Sequence, residues 1–128
     1  MSSKIATLVA AMIALGLFAG SAMAAYPTSI AGTWTVQANQ STGTMNITQG
    51  LIGTCRALSG NLGGTALVGF YCPTTGRFNF ERTINGVTIQ YYSGNVSQIG
   101  SHLFMGGIFG VPITSGGPLG EYNFSAVK

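Results

Sequence analysis

The chain has 128 residues, 46% hydrophobic and only 5% charged, with a formal net charge of +3. Its cations are scattered, so the basic patch that nucleic-acid binding requires is missing. A single histidine, His102, two carboxylates, Glu81 and Glu121, and no aspartate leave little for a catalytic triad or a metal cluster, and the apolar content is too high for disorder.

Lys4 precedes an uncharged apolar run from Ile5 to Gly20, followed by Ser21-Ala22-Met23-Ala24. A basic start, a short apolar stretch and an A-x-A exit read as a bacterial-style secretory signal peptide over residues 1–24. No cysteine follows the site, so no lipid anchor is expected, and residues 25–128 form one exported domain, periplasmic or secreted. Both cysteines, Cys55 and Cys72, lie in that domain. An oxidising compartment makes them a structural disulfide, and neither a CxxC spacing nor clustered histidines point to redox or metal chemistry.

Short alternating segments follow in order: Thr33 to Ala38, Thr44 to Thr48, Thr54 to Leu62 and Thr65 to Cys72. Next come the two arms of a hairpin around Asn85-Gly86, then Leu103 to Val111 broken by Gly106-Gly107, and Glu121 to Val127. About eight strands and no helical period predict an all-β fold, a single small antiparallel up-and-down β-barrel, with a β-sandwich as the alternative. Glycines inside several strand patterns fit tight barrel curvature. Asn85-Gly86 suits a two-residue type I′ turn. A regular ladder from that turn sets Phe80 opposite Tyr91 and gathers Phe78, Phe80, Ile84, Val87, Ile89 and Tyr91 with Arg82 on one apolar face. Tyr92 then points outward.

Gly32-Thr33-Trp34 resembles the G-x-W opening strand of calycin barrels, the group of lipocalins, avidins and bacterial metalloprotease inhibitors. Leu67-Val68-Gly69-Phe70-Tyr71 leading to Phe78-Asn79-Phe80-Glu81-Arg82 is similar in layout to the fourth and fifth strands of avidin and streptavidin, and Tyr92-Ser93-Gly94-Asn95 resembles a step of their sixth. The resemblance implies a barrel whose Trp34 plugs one end, with Arg82 and Phe104 at positions where relatives carry ligand-wall tryptophans and with Tyr92 facing inward. That last implication conflicts with the regular hairpin ladder; a bulge at Gly94 or a three-residue loop reconciles the two. Val36 stands where biotin-binding relatives have an Asn, Ala57 to Gly64 lacks their Tyr, and Trp34 is the only tryptophan. Most of the biotin hydrogen-bonding set is therefore absent.

Candidate ligand-binding residues are thus Trp34, Arg82, Tyr91, Tyr92 and Phe104, none of them catalytic. Arg82 on an apolar face is costly unless it sits at the barrel mouth, where it could anchor an acidic or carbonyl group. The expected function is non-enzymatic binding of a small molecule or a protein segment, without cofactor, metal, nucleic acid or membrane attachment after leader removal. The alternatives are a secreted structural protein assembling through β surfaces, including as a homo-oligomer, and a calycin-type protease inhibitor. An interior without a cavity of about 300 Å³ would remove the small-ligand version.

Overall fold

The computed structural model describes residues 26–112 and 117–128, so the signal-peptide reading over residues 1–24 lies outside the described residues. Eight strands run in order: β1 (Gly32–Ala38), β2 (Ser41–Gln49), β3 (Arg56–Leu62), β4 (Thr65–Cys72), β5 (Arg77–Ile84), β6 (Val87–Ile99), β7 (His102–Val111) and β8 (Gly120–Val127). Each pairs antiparallel with the next, and β1 pairs with β8, closing an up-and-down barrel. Period-two alternation explains the inner face: Trp34 and Val36, Met45 and Ile47, Phe124 and Ala126 are buried, while their neighbours in sequence face out. Closure removes the open edges that a weakly charged β protein would expose to aggregation.

The central hairpin keeps its two-residue turn, with Asn85 at φ 51°, Gly86 at φ 78° and Ile84 opposite Val87. The ladder above it is not regular. Thr83 pairs with Thr88 but Arg82 pairs with Gln90, leaving Ile89 as an extra residue in a β-bulge. Beyond the bulge Phe80 faces Tyr92, not Tyr91. Tyr92 is 2% exposed and Tyr91 49%, which reverses the assignment drawn from a regular ladder. The bulge resolves the conflict in favour of Tyr92, at Ile89 and not at Gly94. Ile84 and Val87, expected inside, stand beside the turn and are half exposed. Packing decides the register: Tyr92 inside stacks between Phe80 and Phe109, while Tyr91 would have forfeited both contacts.

β7 passes through Gly106-Gly107 unbroken, contrary to the sequence reading. Gly107 pairs with Gly94, and a Cβ on either would lie 2.0 Å from a backbone oxygen of the facing strand. The row Phe78, Gly94, Gly107, Phe124 therefore has its large rings on the outer members. Phe78 and Phe124 meet edge to face over the gap, their centroids 5.7 Å apart. Glycine here lets two strands approach and two rings meet.

One end of the barrel is sealed. Pro27 and Ile30, preceding β1, are buried there. The Trp34 Nε1–H donates to the Ile30 carbonyl at 2.9 Å, and the Tyr71 hydroxyl donates to the Pro27 carbonyl at 2.6 Å. Gln49 accepts from the Ile30 N–H and donates to the Thr28 carbonyl. Burial pushes the Tyr71 phenol up to about 12, with a smaller contribution from Tyr26. Cys55 and Cys72 are joined at the same end, their Cα atoms 4.1 Å apart, across the β3–β4 pair. Cys55 sits one residue before β3 instead of within it. A disulfide accords with an extracytoplasmic location.

Candidate functional site: the open barrel mouth

The opposite end carries the tight turns at Asn39-Gln40, Gly63-Gly64 and Asn85-Gly86 and also the β7–β8 connection, and among the described residues it is not sealed. A cleft of about 410 Å³ opens there, its walls including Ala38, Ile89, Gln90, Phe109, Val111 and Tyr122, with Pro118 at its edge. A smaller recess of about 160 Å³ adjoins it, sharing Ala38 and Ser41 and lined also by Arg82 and Tyr92. The barrel below is filled by packed side chains, so space for a guest of small-molecule size lies at the mouth.

One wall of the mouth is a ladder of aromatic rings. Phe80, Tyr92, Phe109 and Tyr122 occupy one register row across β5, β6, β7 and β8. Successive centroids are 4.8, 5.1 and 5.2 Å apart, with interplanar angles of 13°, 18° and 28°. The ladder starts beside Gly69, which pairs with Phe80 and has no side chain to compete for the space. It ends on Tyr122, which is half-buried and borders the cleft.

The polar wall is built around Arg82. Its Nη1 donates to Gln90 Oε1 at 2.6 Å, and its Nη2 donates to the Leu62 carbonyl at 3.1 Å and to Thr65 Oγ1 at 2.9 Å. The Tyr92 hydroxyl donates to the same Gln90 oxygen at 2.8 Å. All of these acceptors are neutral, so no carboxylate offsets the guanidinium. Its terminal nitrogens are held by these neutral acceptors, while the Nε–H is buried without a partner. Burial raises the Tyr92 phenol above its ordinary value, and the neighbouring Arg82 charge and hydrogen bonding partly counter that rise.

Glu81 points out of the barrel, where it accepts from Thr88. Its register row reaches Glu121 only through Tyr91 and Gly110, so two strands separate the carboxylates. Among the described residues, no group of three His, Cys, Asp or Glu side chains could hold a metal.

Of the residues singled out in the sequence, Arg82 and Tyr92 meet at the mouth. Trp34 is fully buried toward the sealed end, in the core. Tyr91 and Phe104 lie on the outer wall, Phe104 39% exposed opposite Val127 and Ser97. Gln90, Phe109, Tyr122 and Ala38 complete the mouth and were not foreseen. Phe109 and Tyr122 needed the inter-strand register, and Gln90 needed the bulge, which no residue in the hairpin announces. Compared with protein-family models, with characterised proteins and with solved structures, the chain matches none.

Proposed function

We propose that the protein is an exported, non-enzymatic binding protein that takes a small molecule into the open mouth of an avidin-like barrel. The observation that carries this reading is the 410 Å³ cleft, within the size range of ligand sites, with a mostly apolar wall and few polar groups. An arginine held by neutral acceptors supplies a ready contact for a carbonyl or anionic group. Biotin is a poor candidate, because Val36 stands where biotin-binding avidins carry an Asn and Ala57 to Gly64 lacks their Tyr. Calorimetry should find biotin binding weaker than about micromolar; tighter binding would refute the residue-by-residue argument. To test the mouth itself, Ala38→Trp would fill the cleft with an indole. This variant should melt cooperatively and lose any ligand that the wild type retains.

A second reading, self-assembly through the barrel wall, is favoured by an outward apolar patch. Val68 and Tyr91 flank Glu81 in one register row, while Phe70 and Ile108 share the next with Asn79 and Ser93. All four apolar residues are exposed, and a shallow recess of about 240 Å³ lies among the first three. Sedimentation at high concentration separates this reading from the first: a strict monomer argues against it, and a dimer lost in Phe70→Glu supports it.

A further inference from the structure

The aromatic ladder stops where the cleft begins. Each inner ring, Tyr92 and Phe109, has a ring on both faces, whereas among the described residues Tyr122 is stacked only by Phe109. The β1–β8 register ends at Ala38 opposite Phe124, and the chain then turns at Asn39-Gln40. Among the described residues, no strand side chain continues the row past Tyr122. The small Ala38 leaves that space to the cleft, which Tyr122, Ala38 and Gln90 all line. The Gln90 oxygen is already committed to Arg82 and Tyr92, so its amide N–H groups remain to donate. Arg82, behind Gln90, is a cation without a carboxylate.

Resting on the mouth-binding reading above, we propose that the ligand is a planar aromatic acid. Its ring extends the ladder as a further member against Tyr122, and its anionic group is drawn to the Arg82–Gln90 side of the mouth. Ring stacking supplies shape selection, since a flat guest meets Tyr122 with its whole face where a puckered or chain-like one cannot. The guanidinium supplies charge selection. It would exchange a neutral acceptor for a charged one, a stronger bond than those it now makes. No covalent step is involved.

Three probes separate the components: 2-naphthoate (flat and anionic), 2-naphthylmethanol (flat and neutral) and decanoate (anionic and flexible). Calorimetry should rank 2-naphthoate above the other two by about tenfold or more, the scale of one charge-assisted hydrogen bond or one stacked ring. Proton NMR should show upfield ring-current shifts at the Tyr122 ring and the Ala38 methyl with 2-naphthoate. Arg82→Gln should bring 2-naphthoate to the level of 2-naphthylmethanol, and Tyr122→Ala should erase its advantage over decanoate. If Arg82→Gln fails to fold, binding of 2-naphthoate to the wild type should weaken with rising salt. Undiminished binding in Arg82→Gln, or salt-independent binding, overturns the proposal. Decanoate binding as tightly as 2-naphthoate, and blocked by Ala38→Trp, overturns the planar acid while leaving the mouth as a site. No binding of any probe at millimolar concentration overturns the planar acid, and the mouth itself is refuted separately, by a ligand retained equally by the wild type and Ala38→Trp.

Discussion

Tyr71 and Tyr92 are both buried phenols, and each hydroxyl makes one short bond, to the Pro27 carbonyl and to Gln90 respectively. Their phenols titrate higher in the fold than in an unfolded chain, whose tyrosines ionise near 10. Stability is therefore unaffected below about pH 10 and falls between there and about 12, where the unfolded chain has released protons that the fold retains. The slope is at most about 1.4 kcal/mol per pH unit for each such group. Denaturant melts at pH 9, 10.5 and 11.5 should show that decline, and Tyr71→Phe should flatten it. The same substitution strips the buried Pro27 carbonyl of its donor, at a cost of about 1–3 kcal/mol. Arg82 was legible in the sequence as a cation among apolar neighbours, and its place at the mouth followed from cost alone. Gln90 was not legible, because a glutamine in a strand carries no sign of the two bonds that its oxygen accepts.

The six strands that alternation and turn residues bound in the sequence all begin and end within three residues of those bounds, and Thr65–Cys72 coincides in full. The departures come where close packing overrides pattern. The Ile89 bulge exists because Tyr92 stacks between Phe80 and Phe109, a benefit decided by strands distant in sequence. Likewise Gly106-Gly107 reads as a break in isolation, yet Gly107 is required inside β7 by its approach to Ser93 and Gly94. The two glycines differ in a way that can be tested. A Cβ at position 107 would lie 2.0 Å from the Ser93 carbonyl oxygen, so Gly107→Ala must part β6 from β7 and should lower the melting temperature sharply or abolish folding. A Cβ at position 106 meets nothing within 4 Å, so Gly106→Ala should leave stability within about 1 kcal/mol of the parent. Equal melting temperatures for the two variants would contradict the close approach of these strands.

At the scale of the whole molecule, the barrel is sealed at one end by Pro27, Ile30 and Trp34, where the Cys55–Cys72 bridge also lies, and among the described residues it is open at the other. The bridge spans 17 residues and should contribute about 3 kcal/mol. Reduction should therefore lower the melting temperature by about 10 to 20 °C without abolishing the fold, because the hydrophobic core does not depend on it. Intact mass of the protein recovered without reductant should be two hydrogens short, and a freely alkylated Cys55 or Cys72 would contradict the pairing. The asymmetry between the two ends underlies the binding proposal, and native mass spectrometry of the protein recovered from its own host tests it most directly. The wild type should retain a small molecule of a few hundred daltons at most, set by the 410 Å³ cleft, released on activation and absent from Ala38→Trp. A bare wild-type mass, or the same adduct on the filled variant, would contradict it.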